Sequence, residues 1–340
     1  MKERVGTDRM YYDDKLETLK DIFGANEVIL ETNRLLLDGR AYPIVDDVII
    51  QLDPSQYPRA LKQRIKGPGE TGEKISEFAE DIQFTFGQEW QRFPEILPEH
   101  EDEFHQYFDL VDLSGLRDRR VCDLGCGIGR WSYFLKDKCR ELVLIDFSEA
   151  IFVARRNLQD SGSAIFIMAD IKNLVFRDNF ADFMFCLGVL HHLPANALDE
   201  VRALRKYAPT LLIYLYYCLD NRPFYFRFLF AVATVLRRKV SKVKGPSFRS
   251  FFTWFSTVFL YEPFILLGRV LRPFGLSGNV PLYEAYHTKS FKRIQQDVYD
   301  RFFTGIEQRF SREHILELQN SFSSIKVSDS IPYWHFICQR

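Results

Sequence analysis

From Arg120 onward, short apolar runs alternate with stretches whose apolar residues recur every three or four positions. The runs predict buried β-strands, and the stretches between them predict α-helices. Strands that are apolar without interruption are typical of a parallel sheet covered by helices on both faces. The predicted strands are RVCDLG, ELVLIDF, AIFIMAD, ADFMFCLG and TLLIYLYY, and helices are predicted through Phe134, over residues 151–158 and near residues 197–207.

The end of the chain continues this alternation, with a predicted helix over residues 311–320 and strands over about 324–327 and 333–338. Together the elements predict a doubly wound α/β fold with a mostly parallel, seven-stranded sheet. We assign this catalytic domain to residues 105–218 and 300–340. The segment 219–299 breaks the rhythm and is predicted to be a helical lid insertion.

Residues 1–65 are predicted to form a small β-rich module. Two alternating apolar runs flank a turn at Gly39 in the stretch EVILETNRLLLDGRAYPIVDDVIIQLD. The following KGPGETGEK, residues 66–74, has the composition of a linker or a mobile loop.

Two aromatic residues, Trp90 and Phe93, lie at helical spacing before a predicted helix over residues 101–110. We therefore interpret residues 66–104 as a linker and a lid helix, with Trp90 as a candidate lid residue. The alternative is that both aromatic side chains simply pack in the core.

The insertion is rich in aromatic and basic residues, and positive charges exceed negative ones by eight between residues 219 and 272. Basic helices with an aromatic face are typical of segments that lie in a membrane interface, which predicts a possible membrane contact through residues 222–272. A lid with a solvated basic edge is the alternative. The basic residues are Arg222, Arg227, Arg237, Arg238, Lys239, Lys242, Lys244, Arg249, Arg269 and Arg272.

Whole-chain properties limit the classes of function. A formal net charge of −1 provides no general field for nucleic acid, so a nucleic-acid partner is not expected. The six cysteines form no C-x-x-C pair, which argues against a zinc ribbon and fits a reducing cytosol. A charged N-terminus and the lack of a charge-free apolar run of about 18 residues predict a cytoplasmic protein that does not span a membrane.

A glycine-rich loop follows the first strand of the catalytic domain. Glycines at a strand-to-helix turn let the backbone approach a ligand closely. A dinucleotide site is the alternative, but its third glycine would stand at position 130, where this chain has arginine. An acid at 123 also suits a ligand with a cationic amino group better than a pyrophosphate. The predicted loop contacts are Asp123, Gly125, Cys126, Gly127 and Gly129.

Further candidate residues follow the next three strands. Asp146 can accept hydrogen bonds from ribose hydroxyls, and Asp170 with the Ile171 amide can bind adenine. The stretch FCLGVLHHL, residues 185–193, ends strand four and is expected to face the reacting group. Within it, His191 is a candidate general base, and packing beside the site is the alternative for both histidines.

Taken together, these residues resemble the class I S-adenosylmethionine-dependent methyltransferases of the small-molecule type 11 and 12 kind, whose fourth strand ends in an L-H-H-L run. The resemblance implies a Rossmann-like fold, S-adenosylmethionine as cofactor and no metal. It implies that Asp123 through Gly129 hold the methionine part, Asp146 the ribose, and Asp170 with Ile171 the adenine. It also implies that Gly188 with Leu190 lines the floor, and Phe147 is a further predicted cofactor contact.

The N-terminal module resembles a Trm112-like small domain at four positions, Tyr42, Pro43, Ile44 and Asp46. The metal-binding cysteines of some members of that family are missing here. The expected function is methyl transfer to an apolar, lipid-linked or other small-molecule acceptor. An RNA or protein methyltransferase and a non-catalytic cofactor-binding module are the alternatives.

Overall fold

The computed structural model describes residues 10–66, 92–243 and 245–340. Its strands are β1 (Val28–Glu31), β2 (Arg34–Leu37), β3 (Arg40–Val45), β4 (Val48–Ile50), β5 (Arg120–Leu124), β6 (Glu141–Asp146), β7 (Ala164–Met168), β8 (Phe183–Leu187), β9 (Thr210–Tyr214), β10 (Ser324–Val327) and β11 (His335–Gln339). In the described parts of the chain they form one eleven-stranded sheet in the order β1-β2-β3-β4-β7-β6-β5-β8-β9-β11-β10. Strands β7, β6, β5, β8 and β9 are mutually parallel. Strand β11 pairs antiparallel with β9, and β10 pairs antiparallel with β11.

Helices cover both faces of this sheet, which confirms the predicted doubly wound architecture. Along β6, Val143 and Ile145 pack in one buried cluster, while Leu142 and Leu144 pack in the other. The helices are α1 (Leu16–Phe23), α2 (Arg59–Lys66), α3 (Glu99–Tyr107), α4 (Arg130–Tyr133), α5 (Ala150–Asn157), α6 (Ala197–Leu204), α7 (Phe224–Val240), α8 (Pro246–Ser256), α9 (Glu262–Leu271), α10 (Tyr283–Tyr286), α11 (Phe291–Phe303) and α12 (Arg312–Leu316).

The N-terminal strands belong to the same sheet as the catalytic strands, so the predicted seven strands become eleven. Strand β4 pairs in parallel with β7, with Val48 opposite Phe166 and Ile50 opposite Met168. All three residues of β4 are buried, because a strand that is apolar on both faces is stable only inside a sheet. The Tyr12 hydroxyl also donates a hydrogen bond to the Asp47 carbonyl at 2.6 Å. The likeness of this segment to a Trm112 domain stays a prediction.

The insertion forms a helical layer with its own buried cluster. Helix α11 packs against α7 and α8, and it runs across the predicted boundary between residues 299 and 300. Helices α8 and α9 are joined by a π-helical turn, Thr257–Tyr261, into one continuous helix, Pro246–Phe274. The cluster includes Phe93, which confirms the core alternative for this residue.

The Pro246–Phe274 helix is long and apolar enough to cross a membrane by length and composition, a test that core helices of soluble proteins also pass. The sequence expectation concerned a different test, an apolar run of about 18 residues without any charge. This helix contains no such run, because Arg249, Glu262 and Arg269 interrupt it. Trp90, Lys244 and most of the predicted linker lie outside the described residues, so their roles stay predictions.

Candidate active site

A cavity of about 630 Å³ lies at the carboxyl ends of the parallel strands and beneath the insertion. Ligands of open α/β sheets bind at this edge, and the volume suits a cofactor-sized molecule. Eight predicted cofactor contacts line the cavity together: Gly125, Cys126, Gly127, Asp146, Phe147, Asp170, Ile171 and Gly188. Four other predicted residues, Asp123, Gly129, Leu190 and His191, are not among its lining residues.

Backbone hydrogen bonds hold the glycine loop against strand β6. The amides of Gly125 and Cys126 donate to the Ile145 carbonyl at 2.7 and 3.0 Å. Gly125 has a φ of +78°, and a Cβ there would lie 2.5 Å from a methyl of Val189. Only glycine therefore fits this position without moving the segment after β8.

Gly129 has a packing role in the described structure. Its φ is +73°, and a Cβ would lie 2.8 Å from Leu158 Cδ1 and 3.2 Å from Ala154 Cβ. Since Gly129 directly precedes helix α4 as its N-cap residue, its small size lets the loop lie close to α5. The third glycine of the motif thus fixes helix packing, whereas Gly127 lines the cavity.

The Asp146 carboxylate connects the glycine loop to the end of β6. Its Oδ2 accepts a hydrogen bond from the Gly127 amide at 2.8 Å. Its Oδ1 accepts from the Ser148 amide at 2.8 Å and the Ser148 hydroxyl at 2.7 Å. Burial raises the pKa of Asp146 above its usual value, and these hydrogen bonds oppose the rise. A carboxylate oxygen can accept a further donor, so Asp146 can still bind a hydroxyl in the cavity.

Asp123 lies behind the loop and is only 2% exposed. The Ser132 hydroxyl donates to Asp123 Oδ2 at 2.7 Å. Burial raises the pKa of Asp123 to about 7; the Ser132 hydrogen bond opposes this rise and the nearby Asp146 adds to it. Asp123 therefore titrates near neutral pH, where a cation in the cavity would favour its ionised form.

The Asp170 carboxylate accepts hydrogen bonds both from the catalytic domain and from the segment that follows β4. Its Oδ1 accepts from the Lys172 amide at 2.9 Å, and its Oδ2 accepts from Gln56 Nε2 at 3.0 Å. Gln56 lines the cavity beside Asp170 and Ile171. Sequence analysis missed Gln56, because nothing local indicates that residues after β4 reach the end of β7.

His191 is fully buried in the described structure and lies away from the cavity wall. Its ring stacks on Tyr216, 3.9 Å between centroids, and neither ring nitrogen has a hydrogen-bond partner among the described residues. Burial lowers the pKa of His191 well below its usual value. His192, by contrast, lines the cavity, and its Nδ1 lies 2.8 Å from the Ile306 carbonyl oxygen. Leu190 is buried beneath this turn.

A buried ion-pair group closes one side of the cavity, and sequence analysis missed it. Glu103 on α3 accepts hydrogen bonds from Arg293 Nε at 2.9 Å and from Arg293 Nη2 at 3.1 Å, and it pairs with Lys289. Although burial opposes it, Arg293 and Lys289 hold the pKa of Glu103 well below its usual value. These contacts tie α3 to α11 over the cofactor end of the cavity.

The wall under the insertion is apolar and partly open to the outside. Helix α7 and the Pro246–Phe274 helix both contribute to it. Several side chains line the cavity and are also among the exposed large hydrophobic residues: Leu229, Val232, Leu236 and Leu260. The cavity therefore reaches the apolar surface of the insertion. In the described part of the chain, no group of three or more His, Cys, Asp or Glu residues is placed to hold a metal ion.

A family model described as a methyltransferase domain matches residues 121–208, which hold β5 to β8 and the glycine loop. These residues form a class I S-adenosylmethionine-dependent methyltransferase domain. The cofactor of this family fits the cavity described above, since Asp146 and Asp170 offer hydrogen-bond acceptors along its wall. At Gly188, whose φ is +81°, an added Cβ would meet nothing within 4 Å, so backbone lies directly against open space.

The methyltransferase domain has curated relatives. The chain is 27% identical over 106 residues to a tRNA U34 carboxymethyltransferase of Trichodesmium erythraeum (strain IMS101), covering 30% of this chain and 31% of the relative. It is 30% identical over 105 residues to an uncharacterized protein of Methanocaldococcus jannaschii, covering 31% of this chain and 44% of the relative. The chain thus spans less than half the length of either relative. A solved SAM-dependent methyltransferase from Aquifex aeolicus is 19% identical with a TM-score of 0.32, covering 38% of this chain and 71% of that one.

Proposed function

We propose that this protein transfers a methyl group from S-adenosylmethionine to an apolar or lipid-linked acceptor. The observation that carries the proposal is one continuous cavity. At one end it is lined by the glycine loop and strand-end acids of the methyltransferase domain, and at the other it reaches the exposed apolar surface of the insertion. An apolar acceptor can enter such a cavity from the surface without crossing a polar barrier.

The cofactor position in this proposal follows the strand ends. The glycine loop holds the methionine part, Asp146 accepts from the ribose hydroxyls, and Asp170 with the Ile171 amide binds the adenine. Phe147 and the backbone at Gly188 provide further contacts, and Leu190 supports that floor from beneath. Asp123 acts through its charge from behind the loop, without touching the cofactor.

The bound cofactor supplies an electrophilic methyl group on a positively charged sulfur. The protein's own contribution is to orient the acceptor and exclude water, which can supply most of the rate increase. The proton lost by a hydroxyl acceptor goes to His192, because that residue lines the cavity and His191 does not.

Contact with a membrane is the second part of the proposal, since a lipid-linked acceptor must be reached at its bilayer. Of the exposed large hydrophobic side chains in the described structure, 18 of 23 lie between residues 224 and 276. Phe224, Phe251 and Phe274 are 76%, 61% and 72% exposed. A concentration of this kind marks an interaction surface, and exposed basic residues beside it favour anionic lipid. These basic residues are Arg227, Arg238, Lys239, Lys242, Arg269 and Arg272.

Three of the basic residues assigned to this surface from the sequence face inward instead. Arg237 is buried and donates to the Thr304 carbonyl at 3.1 Å. Arg249 is 1% exposed and donates to the Val243 carbonyl at 2.8 Å. Arg222 lines the cavity and pairs with Glu284. Their long side chains satisfy backbone carbonyls and carboxylates inside the helical layer, so they are excluded from the membrane contact.

Transfer of a labelled methyl group tests the proposed acceptor class. The full chain is incubated with methyl-labelled S-adenosylmethionine and, separately, with extracted polar lipids in vesicles, total tRNA, and protein extract. We expect label in the organic-soluble fraction of the lipid reaction. Label found only in tRNA or only in protein would overturn the lipid acceptor and support the corresponding alternative.

A further inference from the structure

One face of helix α11 lines the cavity. Six of its residues line the cavity; one is Phe302, and the other five are polar or charged and recur at helical spacing: Arg293, Gln296, Asp297, Asp300 and Arg301. The opposite face carries Ile294, Val298 and Phe303, which pack in the buried cluster of the insertion. The helix therefore presents a polar stripe to the cavity, facing the apolar wall made by α7 and the Pro246–Phe274 helix.

Most of this polar stripe is satisfied within the protein. Arg293 pairs with Glu103 and with Asp297. Asp300 Oδ2 accepts from the Tyr216 hydroxyl at 2.5 Å, and its Oδ1 accepts from the Thr304 hydroxyl at 3.0 Å. These groups need no ligand.

Two donors on the stripe remain without partners among the described residues. The half-buried guanidinium of Arg301 has neither a hydrogen bond nor an ion pair there. The Glu307 carboxylate, whose charge acts on Arg301, is already engaged by Arg309 at 2.6 Å and by Arg237 at 3.7 Å. Gln296 is 3% exposed, and its Nε2 has no hydrogen-bond partner.

The Arg301 guanidinium and the Gln296 Nε2 group can donate hydrogen bonds but cannot accept them. A guanidinium has five N–H donors and no acceptor, and it matches the geometry of carboxylate and phosphate oxygens. Leaving such groups in a cavity without an acceptor is costly, so a ligand that fills the space should bring one. Five residues along an α-helix span about 7.5 Å, which lets one acidic headgroup and its adjoining polar atoms reach both Arg301 and Gln296.

We propose that Arg301 and Gln296 bind an oxyanion of the acceptor, either a carboxylate or a phosphate, while its apolar part lies against α7 and the Pro246–Phe274 helix. This proposal rests on the proposed function, because it defines the substrate class of the same cavity. The acceptor is accordingly an acidic amphiphile. A neutral lipid would leave the Arg301 guanidinium without a directly hydrogen-bonded anion, because Glu307 acts on it only through its charge and is engaged by Arg309 and Arg237.

Binding of three probes of equal chain length tests the anion site. Dodecyl phosphate, dodecanoate and dodecanol are titrated below their aggregation concentrations into the full chain, with and without S-adenosylhomocysteine. We expect at least one acidic probe to bind about tenfold more tightly than dodecanol, as for a charge-assisted hydrogen bond. The stronger of the two acidic probes identifies phosphate or carboxylate as the preferred group.

In the variant Arg301→Gln, the Kd values of the acidic probes should lie within about threefold of the Kd of dodecanol, and S-adenosylhomocysteine binding should be unchanged. Arg205→Gln removes the same charge from an exposed site outside the cavity and should keep the preference. Gln296→Leu, which keeps similar volume, gives a second reading if Arg301→Gln does not fold. Equal binding of all probes by the wild type, or an unchanged preference in Arg301→Gln, overturns the proposal.

Cofactor binding keeps the two proposals separable. A protein that binds the acidic probes but no S-adenosylhomocysteine would refute the methyltransferase proposal and leave the anion site standing. Loss of S-adenosylhomocysteine binding in Arg301→Gln, with probe preference intact, would instead assign Arg301 to the cofactor and refute the acceptor site.

Discussion

Replacing Asp146 by asparagine separates cofactor binding from folding. In the proposed complex, the carboxylate accepts from ribose hydroxyls while it still holds Gly127 and Ser148. Asparagine keeps one acceptor oxygen but loses the charge, and its amide then meets the Gly127 N–H donor. Loss of charge-assisted hydrogen bonds should weaken S-adenosylhomocysteine binding by about 2–3 kcal/mol, or about 30- to 150-fold in Kd.

The same substitution should change stability little. Burial raises the pKa of Asp146 in the folded protein above its value in the unfolded chain. The folded state therefore loses stability as pH rises from the unfolded pKa, about 3.9, through the folded value. A neutral asparagine avoids that loss, which offsets the altered contact with Gly127. At pH 8 the melting temperature should stay within a few degrees of the wild type.

Calorimetric titration and thermal unfolding of the same preparations provide the assay. The control is Asp160→Asn, which removes an exposed carboxylate paired with Lys136 at 2.6 Å and should change neither quantity. Wild-type affinity in Asp146→Asn would remove Asp146 from the cofactor site. A collapse of the melting temperature would show that its role is structural, and either outcome refutes the reasoning.

Three further predictions address packing, protonation and the membrane surface. Gly129→Ala should destabilise the fold by about 2–4 kcal/mol in urea unfolding, through strained φ and overpacking, and an unchanged midpoint would contradict this. Because the pKa of Asp123 is about 7, binding of the cationic cofactor should release a proton below that pH and weaken as pH falls. Calorimetry in buffers of different ionisation enthalpy should detect the release in the wild type and not in Asp123→Asn. Glu at both Phe251 and Phe259, which are 61% and 59% exposed, should reduce sedimentation with anionic liposomes more than tenfold; Val175→Glu, an exposed apolar site elsewhere, should not, and equal effects would refute the surface.

The central strands and the cofactor end could be predicted because their signals are local. Buried parallel strands are apolar throughout, and parallel topology brings their carboxyl ends to one edge. Residues that follow different strands, such as Gly127, Asp146 and Asp170, therefore had to meet. The sequence alone does not distinguish the roles of Gly127 and Gly129. In the structure Gly127 lines the cavity, whereas Gly129 packs against Leu158.

The remaining features depend on contacts between distant parts of the chain. Pairing of β4 with β7 joins segments more than a hundred residues apart, and no local pattern specifies that partner. Arg238 and Arg249 are indistinguishable by type, yet one is exposed and the other fully buried. The polar stripe with Arg301 was missed because a row of polar residues on a helix usually faces solvent, and only the helical layer above turns it toward a cavity.

Competition between S-adenosylhomocysteine and NADH for the full chain tests the central claim most directly, because the glycine loop alone is compatible with either ligand class. Titration should show one S-adenosylhomocysteine site per chain with a Kd on the order of micromolar, weakened about 30- to 150-fold in Asp146→Asn and unaffected by excess NADH. Tight NADH binding, or no heat with S-adenosylhomocysteine from a correctly folded protein, would contradict the assignment of this cavity to methyl transfer.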